Sequence, residues 1–156
     1  MHHSDAKAYT AICAYISEKI WGRRKPFPEG TVMAVVDGNE MVGAAVFYDY
    51  DYDAGVIQVS AAANTPKWLT RRILFEMFDY AFNTIGCQAV VARVDPDNNR
   101  LGRIFPAYGF KKYEIPRLRG RNKSEVVFVL GDDDWRANGF HKEHEHGQES
   151  SRSNAA

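Results

Sequence analysis

The chain has 156 residues, is 45% hydrophobic and 26% charged, and sets 20 Lys+Arg against 20 Asp+Glu for a formal net charge of zero. This is enough apolar material for one packed core, which excludes wholesale disorder. A dedicated polyanion binder is strongly basic, so the charge balance argues against nucleic acid as the main partner.

No apolar run approaches the roughly 20 residues that cross a bilayer. The opening Met1-His2-His3-Ser4-Asp5 lacks the basic and apolar regions of a secretory leader. A cytoplasmic protein without membrane contact is therefore expected. Cys13 and Cys87 are too few for a disulfide framework and form no CxxC pair, so they read as reduced, buried thiols.

Residues 4–21 read as a helix, with Ser4 or Asp5 as N-cap and Ala8, Ile12, Ile16 and Ile20 repeating every fourth position. A loop through Pro26 and Pro28 follows. Strands are predicted over 31–36, 41–50 and 56–62, with Asp37-Gly38-Asn39 as the first hairpin turn. Tyr48, Tyr50 and Tyr52 alternate with Asp49, Asp51 and Asp53, so rings and carboxylates should face opposite ways. Ser60-Ala61-Ala62-Ala63 lets a neighbour or ligand approach the backbone closely.

Asn64 or Thr65 then caps a long helix that begins at Pro66 and runs to about Thr84. Its apolar stripes are Leu69, Ile73, Met77, Ala81 and Leu74, Phe78, Phe82, Ile85, which should lie on a sheet. A buried strand is expected over 87–94, with Asp97 as cap to a short helix over about 98–105. Strands over 110–115 and 125–130 are linked by a basic segment, Arg117 to Lys123. Residues 132–140 suggest a short helix or extension. Residues 141–156 hold no large apolar side chain and read as a disordered tail. His141, His144 and His146 in that tail read as no metal site.

The junction Ala62-Ala63-Asn64-Thr65-Pro66-Lys67-Trp68-Leu69-Thr70-Arg71-Arg72 is the chemically richest segment. A helix N-terminus presents unpaired N–H groups and the positive end of a dipole. Lys67, Arg71 and Arg72 add three cations, a combination that suits phosphate or pyrophosphate. The same charges on the exposed face of an ordinary helix are the competing reading.

This order of elements resembles the GNAT superfamily of coenzyme A-dependent N-acyltransferases over about residues 5–130. In that family the loop after the fourth strand carries a Q/R-x-x-G-x-G/A signature around the cofactor pyrophosphate. Here Thr65-Pro66-Lys67-Trp68-Leu69-Thr70 occupies it, with Trp68 and Thr70 where the glycines would be. The Trp-Leu-Thr-Arg-Arg run resembles a phage and prophage subgroup of GNAT-like proteins. Asn98 in Asp97-Asn98-Asn99-Arg100, followed by Tyr108-Gly109-Phe110, is similar to the family's N-x-x-A…Y-x-x-x-G-F segment.

The resemblance implies an α/β (α+β) fold: a mixed, mostly antiparallel central sheet of about six strands, flanked by helices, with two central strands splayed in a V. Residues 4–131 would form the single acyltransferase domain. Acetyl-CoA would enter the splay, touching Ser60, Ala61 and Ala62 along the strand, Lys67 to Arg72 at the phosphates, and Asn98 at the pantetheine arm. An amine would attack the thioester with no metal. The family's acidic tyrosine falls on Phe105, so Tyr108 is the substitute candidate. No carboxylate lies between Gly55 and Ala63, so Asp53 is the candidate base. The family's first strand is not visible before residue 5, so either the sheet is one strand smaller or a partner chain supplies an edge; a homodimer stays open. The competing functions are a non-catalytic GNAT-fold module that binds CoA or a macromolecule, and a nucleic-acid-associated phage protein that uses the basic residues of 111–123.

Overall fold

The structure is a computed structural model, and it describes residues 6–138. The expected Ser4 or Asp5 cap and the histidine-bearing tail lie outside the described residues. The chain divides after Thr70 into two compact units.

In the first unit, helix α1 (Ala6–Trp21) precedes strands β1 (Gly30–Asp37), β2 (Glu40–Asp51) and β3 (Val56–Ala63). All pairing is antiparallel, with β2 between the other two. The predicted every-fourth-residue stripe explains α1. Ile16 and the adjacent Cys13 are buried against Val32, Ala44 and Val46, with Ile12 and Ile20 packed at the margin. Gly22 ends the helix at φ 72°, its N–H bonded to the Glu18 carbonyl at 2.8 Å. The Ser17 hydroxyl donates to the Ala14 carbonyl and accepts the Lys25 N–H, which ties the proline loop back to the helix.

Strand β2 buries Ala44, Ala45, Val46 and Phe47 in succession, so both of its faces are covered. Ala44 and Val46 face α1, and Gly43 points the other way. There the Trp68 indole lies flat against Gly43, where an added Cβ would fall 2.4 Å from a ring carbon.

The β2–β3 hairpin contains a bulge between Tyr48 and Asp51. Asp49 has φ 54°, a left-handed conformation that aspartate tolerates better than most residues. The expected alternation ends there. Tyr50 and Tyr52 remain in ring contact at 4.7 Å, Tyr52 is 85% exposed, and Asp51 turns inward on the backbone of the loop.

The second unit contains helix α2 (Arg71–Asp79), strand β4 (Ala89–Val94), helix α3 (Asn99–Tyr108), strands β5 (Lys111–Gly120) and β6 (Lys123–Gly131), and the short helix α4 (Asp132–Arg136). Strand β6 pairs antiparallel with both β4 and β5. The six strands of the two units, paired antiparallel within each and accompanied by helices, make the mixed α/β fold that the resemblance implied.

Three expectations are corrected here. The long helix over 66–84 is not continuous. Pro66–Trp68 is a separate 3₁₀ turn, Leu69 leaves helical geometry at φ −90°, ψ 72°, and α2 starts only at Arg71. The last part, Tyr80–Ile85, widens into a π-helical turn that Gly86 closes at φ 87°. The stripe survives the change: Leu74, Met77, Phe78, Ala81 and Phe82 are buried.

The second correction concerns α3. Its cap is Asn98, not Asp97, with the side-chain oxygen accepting the Leu101 N–H at 3.2 Å. The helix continues through Pro106 to Tyr108, because the ring removes one bond to the preceding turn and the helix ends within a few residues.

The third is the basic linker. Arg117 to Lys123 forms no loop: β5 runs to Gly120 and β6 restarts at Lys123. Arg117 is the kink, at φ 71°, where the pairing loses register between Ile115 and Gly120.

The core of the second unit is aromatic. Trp135 is fully buried among Phe75, Phe82 and Tyr108, and Phe105 stacks on Phe110 at 4.6 Å. Both cysteines are free and buried, and burial pushes both thiols up, the opposite of what a nucleophilic thiol needs. Among the described residues no helix is long and apolar enough to cross a membrane.

Candidate functional site

In the first unit, β3 carries Ser60, Ala61 and Ala62 opposite Val46, Ala45 and Ala44 of β2. Ser60 is buried, and its Oγ lies 3.1 Å from the Tyr48 hydroxyl. The Phe27 ring stands edge-on to Tyr48 at 5.2 Å. Asn64 is held by β2 through Val42 and Met41 and accepts the Tyr15 hydroxyl at 2.9 Å, so it is no helix cap. Thr65 is the cap, but only of the 3₁₀ turn, accepting the Lys67 N–H at 3.3 Å.

That break redistributes the expected phosphate residues. Lys67 is exposed on the 3₁₀ turn, and Leu69 and Thr70 form the break. Arg71 and Arg72 are exposed at the start of α2, with Arg72 also pairing with Glu76 at 3.2 Å. Trp68, at a position where the family has glycine, directs its ring into the core and offers a ligand only its backbone.

Asp53 is exposed at the tip of the β2–β3 turn, with its N–H bonded to Asp51. Among the described residues no side chain bonds its carboxylate. Tyr108 is 2% exposed, and its hydroxyl accepts the Trp135 indole N–H at 3.0 Å. Burial pushes the phenol up to about 12, against a smaller opposing effect of that N–H. A weaker acid sealed in a core is badly placed to protonate a leaving group.

In the second unit, Asn98 is exposed at the start of α3. A cavity of about 270 Å³ lies beside it, lined in part by Asn98, Asn99, Arg103 and Lys112.

Sequence reasoning missed an ion network close by. Glu125, 3% exposed on β6, accepts Arg93 Nε at 2.9 Å. Arg119 lies between Glu125 and Asp95, 3.5 Å from each, and Lys123 reaches Asp95 at 2.9 Å. Two of the six basic residues of 111–123 are thus committed to internal acids, which weakens that segment as a polyanion surface.

The Asp97 N–H, followed by Lys123, holds the Asp95 carboxyl below its ordinary value. A depressed folded value means stability that is present above the unfolded value and lost as pH falls through the folded one. Asp95→Asn is expected to flatten the acid limb of stability below the ordinary carboxyl value of 3.8, read as denaturation midpoints across acid pH. An unchanged limb would refute the role.

The family described as Acetyltransferase (GNAT) domain matches residues 2–111. The chain belongs to the GNAT acetyltransferase family. Solved structures with a similar fold include a spermidine N-acetyltransferase from Vibrio cholerae, with TM-score 0.59 and 13% identity over 67% of each chain. A ribosomal-protein-S5-alanine acetyltransferase from Vibrio fischeri has TM-score 0.59 and 20% identity, over 68% of this chain and 63% of that one. A GCN5-related N-acetyltransferase from Brucella melitensis has TM-score 0.61 and 18% identity, over 76% and 57%. The chain thus spans about two thirds or less of these structures. No curated protein matched the sequence.

Proposed function

We propose that the chain is an acetyl-CoA-dependent N-acetyltransferase that moves an acetyl group to a primary amine of a small molecule or protein by direct attack in a ternary complex. The observation that carries this reading is the GNAT acetyltransferase match over residues 2–111. The names of two structural neighbours, which specify spermidine and an alanine of ribosomal protein S5, agree with an amine acceptor.

Acetyl-CoA is the acyl-donor substrate here, and its thioester supplies an activated acetyl group. The residues present suit it chemically. Lys67, Arg71 and Arg72 are exposed cations of the sign a diphosphate requires. Ser60, Ala61 and Ala62 have side chains short enough for an extended arm to lie along β3 in the manner of an added strand. Asn98 retains its Nδ2 hydrogens as donors while its oxygen caps α3. The backbone N–H groups of Leu69 and Thr70, at the break before α2, take the place of the family's glycine loop in this reading.

Calorimetry with acetyl-CoA and thiol release across a panel of amines test the activity. The Arg71→Ala/Arg72→Ala double variant is expected to weaken acetyl-CoA binding by about tenfold or more, since charge-assisted contacts are worth about 1.5–3 kcal/mol. Unchanged affinity would remove both arginines from the donor site.

A second reading, a non-catalytic GNAT module that binds CoA or a macromolecule, is favoured by one observation. Tyr108 is sealed in the core and Asp53 is solvated at a turn, so both expected proton-transfer groups are poorly placed. Acetyl-CoA binding with no thiol release on any amine would select it.

A further inference from the structure

Resting on the acetyltransferase reading, we propose that Tyr48, oriented by Ser60, is the group that delivers a proton to the departing thiol. The Tyr48 and Ser60 hydroxyls are 3.1 Å apart, and either can donate to the other. Ser60 is 8% exposed and Tyr48 half-buried, so the pair is shielded without being sealed as Tyr108 is. Phe27, edge-on to the Tyr48 ring, limits its rotation.

The pair exists because of the hairpin bulge. Near the turn Asp51 opposes Val56, and that register continued inward would set Phe47 opposite Ser60, leaving Tyr48 on the other face. The extra residue shifts the pairing to Tyr48↔Gln58 and Val46↔Ser60. Tyr48 and Ser60 then become diagonal neighbours on one face. Ser60 also begins the short-side-chain run of β3, a strand with no carboxylate from Val56 to Ala63. The phenol hydroxyl is an O–H donor as well as an acceptor, which is what a proton-delivering group requires.

In the transfer, the amine nitrogen attacks the acetyl carbonyl carbon, forming the C–N bond as the C–S bond breaks. The electron pair of the broken bond goes to sulfur, which takes the proton from Tyr48 Oη. The nitrogen gives its surplus proton to water. Tyr48 regains a proton from water through the Ser60 hydroxyl. The sum is amine plus thioester giving amide plus thiol, with no other reactant. Ser60 acts through Tyr48 and is a positioning residue.

The test compares the full chain with Tyr48→Phe, Ser60→Ala and Ser60→Thr, measuring acetyl-CoA affinity by calorimetry, kcat by thiol release and the melting temperature. Tyr48→Phe is expected to lower kcat about a hundredfold, the usual scale for loss of a general acid, with acetyl-CoA affinity unchanged. Ser60→Ala is expected to lower kcat about tenfold, and Ser60→Thr, which keeps the hydroxyl but adds a methyl beside the donor's arm, to hold kcat near wild type at saturating acetyl-CoA while weakening its affinity. An active wild type with an equally active, folded Tyr48→Phe overturns the role of Tyr48 and leaves the transferase reading intact. A wild type that binds acetyl-CoA but releases no thiol overturns both. If Tyr48→Phe fails to fold, the serine variants decide, and equal kcat for Ser60→Ala and wild type overturns the proposal.

Discussion

Trp135→Ala is expected to cost about 3–5 kcal/mol, the range for truncating a buried aromatic side chain to alanine. The residue is fully buried on the short helix α4, against Phe75 at 5.7 Å and Phe82 at 5.3 Å. It also donates to the Tyr108 hydroxyl at 3.0 Å. Truncation therefore opens a cavity and removes the donor to a buried oxygen. For a chain of this size the melting temperature should fall by about 10 °C or more. Trp135→Phe separates the contributions: it keeps most of the volume, loses the hydrogen bond, and should cost about 1–3 kcal/mol for the stranded hydroxyl and the imperfect fit. A Trp135→Ala protein that melts with the wild type would show that α4 is not part of the second unit's core.

The second large effect is expected at Gly43. Its Cβ position lies 2.4, 2.5 and 2.8 Å from three atoms of the Trp68 side chain, closer than van der Waals contact permits. Gly43→Ala forces either the buried strand β2 or the indole to move, and overpacking of this kind costs about 1–3 kcal/mol. The rigid bicyclic ring has no flexible end to yield. Trp68 should gain exposure, seen as a red-shifted tryptophan emission together with a lower denaturation midpoint. Acetyl-CoA affinity should fall too, because Trp68 precedes the Leu69–Thr70 break assigned to the donor. Wild-type emission and midpoint in Gly43→Ala would contradict this packing.

Residue pattern carried some of these features and not others. Helix α1, the three strands of the first unit, Gly38 at their first turn and the Gly86 and Gly109 helix ends follow from local rules, since apolar period, turn chemistry and left-handed glycine need only near neighbours. The basic segment read as a linker because Arg117, Arg119, Arg121 and Lys123 cluster around Gly120 with little apolar material between two strand patterns. Their carboxylate partners come from elsewhere in the fold: Glu125 of β6 meets Arg119 of β5, and Asp95, just past the end of β4, meets both Arg119 and Lys123. The 66–84 segment read as one helix because its apolar stripe is continuous. The break at Leu69 accompanies burial of Trp68 against a glycine 25 residues earlier in the chain, a contact no periodicity can report.

The site divides in the same way. Ser60, Lys67, Arg71 and Arg72 were named from residue type and order and Asn98 from the family resemblance, and each is at a strand, turn or helix start close to where it was placed. Tyr48 was seen only as one tyrosine in an acid–aromatic alternation, and Tyr108, the candidate proton donor, lies 2% exposed with its hydroxyl on Trp135.

Order of elements was therefore written in the amino acids, because hydrophobic period and turn residues act over a few positions, while the family was legible only as a resemblance carried by the junction after β3 and by Asn98 and Gly109-Phe110. Which hydroxyls meet was decided by the folded chain. A single extra residue at the β2–β3 bulge, where Asp49 adopts left-handed geometry, reverses the facing of every side chain beyond it and sets Tyr48 beside Ser60.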